Sequence, residues 1–411
     1  MDIEVRTLAR EDYHRWVLPL VTAFAEEVSD YWTELDMRLL EFDRTLGAVD
    51  AGEFVAGAAV LSLELTVPGP ETIPMAGVTM VAVLPTHRRR GINACLMRRA
   101  LEDVRDLGRE SVAGLWASEG GIYGRFGYAP ATWISDLGIL RARARLAHGP
   151  EGPGALRLVT ERTQGLDAIA PVYDRIRTTR AGFVSRPSRA HWDFRLQDQE
   201  SSRDGASAFH YLVHEGPGGP DGYAVYRVKH EWQDGLAQGE VRLEELAGAS
   251  LAATAALWRH VLDIDLTGRI TWSAAPVDTE LRHLLADQRP LRSRTQDGLW
   301  LRVCDAPRLL SSRRYAVEER LAVRLVDDVC PWVEGTYVLE GGPEGSACAR
   351  DDAAIPDLTM PSSTLASAFL GGTAVGALAR AGLMDEETSG AVARAHAMFA
   401  TPDAPWCPAF F

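Results

Sequence analysis

Only one lysine (Lys229) and one asparagine (Asn93) occur among the 411 residues, and arginine carries nearly all of the positive charge. GC-rich coding produces such a bias, which says little about chemistry. Cysteine is also sparse: Cys95, Cys304, Cys330, Cys348 and Cys407 are odd in number, widely scattered and without a CxxC pair. That pattern argues against a disulfide framework and fits reduced thiols in a cytoplasmic protein. No apolar run reaches the roughly eighteen residues of a membrane span. The opening residues, MDIEVRTLAREDYHRW, lack the basic and apolar regions of a secretory signal. The ten histidines form no HExxH pair, and there is no GxSxG elbow, Walker motif or Ca²⁺ loop. A catalytic metal and the chemistries tied to those motifs are therefore not expected.

The net charge of −14 argues against nucleic acid, whose binding depends on cations neutralising phosphates, and it suits a cationic substrate. The hydrophobic fraction of 46% and charged fraction of 24% are those of a globular protein. A chain of this length holds two or three domains, each with its own core. Pro and Gly cluster in AHGPEGPGAL (Ala147–Leu156), which marks a linker. Residues 1–150 read as a mixed α/β layer: a helix over Glu11–Phe24, strands at Thr45–Val49 and Glu53–Leu65, and a last strand at Trp133–Leu140 closing the region. Residues 151–303 repeat that style, with an amphipathic helix carrying Leu166, Ile169, Val172, Tyr173 and Ile176. Alternating strands, a helix at Ser250–Ile264 and strands at Arg269–Trp272 and Gly298–Val303 follow. Residues 304–411 read as α+β, with strands at Ala322–Val326 and Gly335–Leu339 and a final helix from Asp385 to Phe399.

The densest chemistry lies in Val81–Tyr128. Here a strand (Val78–Leu84), a basic turn (His87–Gly91), a helix (Ile92–Leu107), a second strand (Val112–Ala117) and a Gly-rich loop follow in succession. Unpaired peptide N–H groups and the helix dipole converge on an anion at such a helix start. Arg88, Arg89 and Arg90 add cations there, and Gly91 admits close backbone approach. A solvated basic cap would use the same residues, but the flanking strand and amphipathic helix favour a phosphate site.

R-x-x-G-x-x in Arg88–Asn93 resembles the pyrophosphate motif of GNAT N-acetyltransferases. The longer strings VAVLPTHRRRG and ASEGGIYGRFGYAP, with GYAVYRV and QDGLWLRV, resemble the enhanced intracellular survival (Eis) family within that superfamily. The resemblance implies an α+β protein with tandem GNAT folds, the first active and the second without a cofactor site, then a sterol-carrier-like α+β domain. It also implies acetyl-CoA as cosubstrate and a homohexamer. By position, Val81, Ala82 and Val83 would meet the pantetheine arm. Arg88, Arg89, Arg90, Gly91, Ile92, Asn93 and Ala94 would surround the phosphates, with Ser118 and Glu119 by the acyl end. Many GNAT enzymes have Gly or Ala where this chain has Asn93.

A thiolate leaves when an amine attacks a thioester, and a phenol with an ordinary pKa near 10 is protonated at neutral pH and suits the acid's role. The resemblance assigns that role to Tyr123 rather than Tyr128. The chain ends in PWCPAFF, and two terminal aromatics imply a tail tucked into the protein. Burial raises the pKa of a carboxylate, so a buried terminus could serve as a base. The resemblance gives that base to the terminal carboxylate of Phe411. Phe24 and Glu26 stand where relatives present an aromatic and an acid to the amine, and Trp32 and Trp116 are candidate walls for a cation. The penultimate residue, acidic in some relatives, is Phe410, which points to a more apolar pocket. The expected reaction is acetyl transfer to a primary amine of an aminoglycoside-type or related small cationic molecule. A protein lysine or natural-product amine is the alternative acceptor, and a non-catalytic ligand-binding relative is the reading from another class.

Overall fold

The computed structural model describes residues 3–411. Strand Glu53–Val67 is buried over most of its length and Glu71–Val83 through its middle, Met75–Val78, because helices cover both faces of their sheet. Tyr13–Phe24 buries Tyr13, Trp16, Val17 and Leu20 in one cluster with Phe54, Ala59 and Ala82. Ile92–Leu107 buries Leu96, Met97, Ala100, Leu101 and Val104 in another, with Ala58 and Val60. Both helices place apolar residues three and four apart, as a helix lying on a sheet requires.

The first sheet runs Glu4–Thr7, Thr45–Asp50, Glu53–Val67, Glu71–Val83, Val112–Trp116, Leu299–Val303, Ala129–Pro130. The second runs Arg292–Asp297, Trp133–Leu140, Thr267–Pro276, Gly239–Gly248, Gly219–Lys229, His210–Gly216, Ala155–Val159. These orders correct two expectations. Trp133–Leu140 does not close the first sheet; it pairs with Thr267–Pro276 and Arg292–Asp297 in the second. Leu299–Val303 leaves the central region and pairs with Val112–Trp116 and Ala129–Pro130 in the first. The two segments cross at Thr132 and Gly298. Gly298 N–H donates to the Thr132 carbonyl (3.0 Å), and Leu299 N–H donates to Thr132 Oγ1 (2.8 Å). A Cβ at Gly298 would lie 2.6 Å from Thr132 Oγ1, so the crossing requires glycine.

The central amphipathic helix spans Arg162–Arg177 and buries all five apolar residues expected of it. The third region forms a five-stranded sheet covered by Ser362–Phe369, Val375–Arg380 and Ala391–Phe399. The last of these helices starts later than expected: Asp385 and Glu386 pair with Thr359 and Leu358 as a short strand. Its Gly390 N-cap sits at φ 84°, where glycine is the natural occupant.

After Phe399 the chain returns across the central domain. Arg180 donates to Ala404 O (2.7 Å), Trp406 N–H to Ala181 O (2.9 Å), and Trp406 Nε1 to Ala274 O (2.8 Å). Arg195 Nε and Arg186 Nη2 both donate to Pro408 O, at 2.8 and 3.3 Å. Those guanidinia are held by Glu245, which is fully buried. Arg186 pairs with it through two bonds (2.6 and 3.1 Å), Arg195 Nε approaches at 3.1 Å, and Tyr223 OH donates at 2.9 Å. Burial alone would raise the Glu245 carboxyl, but Arg186 and Arg195 outweigh it and hold the group below its ordinary 4.5.

The exchanged strand makes a separate first domain incomplete. A fragment ending at residue 150 lacks Leu299–Val303 and is expected to show no cooperative transition in chemical denaturation followed by circular dichroism. A Glu245→Gln variant leaves the buried Arg186 guanidinium without its carboxylate, while Arg195 keeps Glu244, and should lose about 3–5 kcal/mol of stability at neutral pH. Because the folded pKa of Glu245 is depressed, its contribution is present above pH 4.5 and fades as pH falls through the lower folded value. Acid titration of stability should therefore be shallower in the variant than in the wild type across that window.

Candidate active site

Strands Glu71–Val83 and Val112–Trp116 pair in parallel only over Met75–Gly77 and Val112–Gly114, then part into a wedge. Just beyond, Met80 sits at φ 52° and the register against Glu53–Val67 slips, so Met80 and Val81 together oppose Ala58. This bulge turns Val81–Val83 away from regular pairing. Val81 and Val83 stay half-exposed and Ala82 is buried. Beyond the strand, Arg89 (φ 63°) and Gly91 (φ 81°) both take left-handed backbone around Arg90, which points successive N–H groups into one concavity. Gly91 caps Ile92–Leu107 without a side-chain hydrogen bond. Cys95 N–H closes the first turn onto Gly91 O, so the amides of Ile92, Asn93 and Ala94 face outward from the helix start.

The three arginines of the turn differ. Arg88 is committed to protein carbonyls, Val83 O (3.3 Å) and Ala23 O (3.2 Å), and so ties the turn to the end of the first helix. Arg90 lies 3.8 Å from Asp50, which His87 also approaches (3.4 Å). Arg89 is exposed and has no hydrogen bond or ion pair among the described residues. Asn93 carries a buried Oδ1 with no partner among the described residues. A nest of open N–H groups and one uncommitted guanidinium form a cradle that fits a pyrophosphate.

Tyr123 ends the short helix Gly120–Tyr123 and is buried. Burial pushes its phenol above 10, the Ser118 hydrogen bond opposes this, and the Glu119 charge reinforces it. Ser118 and Glu119, themselves exposed, thus adjoin the phenol. The exchanged strand supports this helix, since a Cβ at Gly120 would meet the Trp300 ring at 3.1 Å. Tyr128 is packed edge-on to Tyr123 at 6.4 Å, and its buried hydroxyl has no partner among the described residues.

The tail reaches the wedge. Phe411 is buried (7% exposed), and a Cβ at Gly77, where the parallel strands part, would lie 3.2 Å from its ring. Trp116 Nε1 donates to Ala409 O at 2.9 Å, fixing the tail to the opposite strand. Trp116 also packs on Phe410 (5.3 Å), Phe410 stacks on Phe194 (6.4 Å, 2° between planes), and Phe194 meets Trp32 edge-on (6.0 Å). Trp32 and Trp116 therefore belong to one aromatic row. Phe24 and Glu26 do not join it: Phe24 ends the first helix and Glu26 follows just past it, both exposed, beside the Arg88 bond to Ala23. Phe194, Arg186, Arg195, Glu245 and Trp300 went unnoticed in the sequence. Arg186 lies in a loop and the others in helices or strands, and nothing local tells which partner lies across the domain boundary.

The central domain lacks such a cradle for a physical reason. Its equivalent helix, Leu251–Asp263, is capped by Ser250, whose hydroxyl accepts from Ala253 N–H (3.2 Å), and no basic turn precedes it. No group of three or more His, Cys, Asp or Glu side chains suited to a metal occurs among the described residues. Nor is any helix of the described residues long and apolar enough to cross a membrane.

Comparison with known proteins agrees with this architecture. Residues 4–131 and 182–303 each match a family model of the acetyltransferase (GNAT) domain, and residues 306–408 match one of the sterol carrier protein domain. The N-acetyltransferase Eis of Mycobacterium tuberculosis is 37% identical over 89% of this chain and 87% of its own. An uncharacterized N-acetyltransferase of Streptomyces avermitilis is 37% identical over 99% of both chains. The crystal structure of Eis1 from Mycobacterium abscessus superposes with a TM-score of 0.86 at 32% identity, covering 99% of this chain and 100% of that one. The chain belongs to the Eis family of GNAT N-acetyltransferases.

Proposed function

We propose that this enzyme transfers the acetyl group of acetyl-CoA to a primary amine of a small cationic molecule, with aminoglycosides as the acceptor class the family resemblance brings. The carrying observation is the position of the last residue: the Phe411 ring is buried over Gly77, where the first sheet opens. A terminus held by that ring would bring a carboxylate toward the wedge without any side chain supplying it.

Acetyl-CoA, when bound, supplies an acyl group already activated as a thioester. The chain's own residues do the rest. Val81, Ala82 and Val83 line the strand that the pantetheine arm would follow, and backbone N–H near Val83 would polarise the thioester carbonyl. The nest at Arg89–Gly91, with the amides of Ile92, Asn93 and Ala94, would hold the phosphates. The Phe411 carboxylate takes a proton from the ammonium, freeing its lone pair for attack. Tyr123 gives its phenolic proton to the sulfur as the carbon–sulfur bond breaks, and the second proton shed by the new amide nitrogen restores the phenol, a role that suits a group kept protonated by burial. Trp116 and Trp32 would offer ring faces to the cation.

Free-thiol release from acetyl-CoA across a panel of amines tests this directly. Tyr123→Phe is expected to lower kcat by about 100-fold or more, the usual worth of a positioned acid. The alkaline fall of the wild-type profile should lie above pH 10, the direction in which burial moves the phenol. A chain ending at Phe410, or one extended by a C-terminal tag, should lose comparable activity because the carboxylate is removed or displaced. Full turnover in the tagged chain would rule out the terminal base.

A further inference from the structure

The parallel strands of the central domain, Gly239–Gly248 and Thr267–Pro276, part after Leu243 and Trp272, and the tail fills only some of the opening. A cavity of about 170 Å³ remains between the ends of those strands, the helix Leu251–Asp263 and Trp406 of the tail. Ordinary small-molecule sites measure ~300–1,000 Å³ and a liquid water occupies about 30 Å³, so this space suits one small molecule and excludes a cofactor. Tyr123, Trp116, Phe410 and Phe411 do not line it.

Its walls are aromatic. Phe183, Trp258, Trp272 and Trp406 line it, and all four are buried. The planes of Trp272 and Trp406 meet at 87° with centroids 5.8 Å apart, and those of Phe183 and Trp406 at 89° and 5.1 Å. Trp258 tilts against Trp272 at 57° and 5.9 Å. Perpendicular rings make a corner rather than a stacking platform. A compact group fits such a corner better than a flat one.

Charge separates a neutral occupant from an ionic one. Arg180 lines the cavity, but Asp278 pairs with it and it donates to Ala404 O (2.7 Å). Glu280 and Asp403 line it too, both exposed, and their carboxylates have no hydrogen bond or ion pair among the described residues. Two uncommitted acids beside aromatic walls favour a cation with an alkylated, weakly hydrated surface, which the ring quadrupoles attract. A hard metal ion needs six or more oxygen ligands, which these walls do not offer. One wall atom also needs an acceptor. Trp258 Nε1 is buried without a partner among the described residues, whereas Trp272 Nε1 donates to Glu244 O (3.2 Å) and Trp406 Nε1 to Ala274 O (2.8 Å). An unpaired buried donor is costly, and an oxygen carried in by a ligand removes that cost.

We propose that this cavity binds a small alkylammonium ion that carries a hydroxyl or carbonyl oxygen, a class for which choline is the simplest probe. The alkylated nitrogen rests in the corner of Trp272 and Trp406, Glu280 and Asp403 balance its charge, and the oxygen accepts from Trp258 Nε1. The occupant thus rests on Trp406, whose main-chain N–H bonds Ala181 O (2.9 Å), and braces the root of the C-terminal tail. The site does not depend on the acetyl-transfer reading.

Calorimetric titration of the full chain compares choline, its neutral carbon isostere 3,3-dimethylbutan-1-ol, and tetramethylammonium, none of which has an amine open to acetylation. Choline should bind saturably. The isostere should bind at least about tenfold more weakly, as expected when a desolvated cation is removed from aromatic rings. Tetramethylammonium should bind about threefold to tenfold more weakly for want of the hydrogen bond. Trp258→Phe keeps a ring and should erase the difference between choline and tetramethylammonium. The double variant Glu280→Gln, Asp403→Asn, changed only at exposed positions, should weaken both cations and leave the isostere unchanged. No saturable choline binding, an isostere that binds as tightly as choline, or cation affinities unmoved by the double variant would each overturn the proposal. Choline affinity lost in Trp116→Leu but kept in the double variant would put the cation at the transfer site and overturn it as well.

Discussion

The Glu245 carboxylate accepts from Arg186, Arg195 and Tyr223 in a fully buried setting, and the two guanidinia it holds converge on the carbonyl of Pro408. Two unit charges about 4 Å apart attract by about 4 kcal/mol at an effective dielectric near 20. Much of that only offsets the cost of taking them out of water. What the network adds is geometry. The faces of Tyr173 (4.1 Å) and Trp192 (4.5 Å) confine the Arg186 guanidinium, so its free donors point one way. A terminus would ordinarily fray, since nothing beyond it pulls it into place. Here the last residues are positioned from the side, and whatever chemistry resides at Phe411 depends on that grip.

The strand exchange acts on the same site from below. Leu299–Val303 completes the first sheet and brings Trp300 under Gly120. It also brings Arg302, whose bidentate bond to Asp327 (2.6 and 2.8 Å) anchors the sheet to the third domain. Gly127 lies so close to that guanidinium that a Cβ there would come within 2.8 Å of its carbon. The loop bearing Tyr123 therefore rests on a strand whose charge is balanced in another domain. Tyr123 and the tail are both held by parts of the chain far from them in sequence.

This arrangement explains what the sequence could and could not disclose. The Ile92–Leu107 helix, the basic turn before it and the strand after it are local patterns, legible from periodicity and punctuation, and the turn's chemistry follows from residue type. The two exchanged strands are equally legible as strands. Their apolar residues say that they are buried, yet carry no information on which sheet buries them, because pairing is set by register and topology. Phe194 and Glu245 illustrate the same limit. One lies in a short helix and the other in an alternating strand, and each gains meaning only from Phe410 or Arg186 across the boundary.

The central domain shows how one fold can hold either a ligand or a peptide. Its parallel strands, Gly239–Gly248 and Thr267–Pro276, also stop pairing part-way, after Leu243 and Trp272. In the first domain the corresponding opening is flanked by a bulge and an uncapped helix, which leaves N–H groups for a ligand. In the second, Ser250 satisfies the helix start, and the residues beyond the last pair turn to the tail. Ala274 O receives Trp406 Nε1, and Glu244 and Glu245 hold the arginine that grips Pro408. The Trp406 ring packs edge-on against Trp272 at 5.8 Å. The opening that could have admitted a cofactor thus receives the protein's own C-terminal segment. A domain without a phosphate cradle is in this way coupled to the site of its neighbour, since the strand ends that would have faced a ligand now aim the tail at the first sheet.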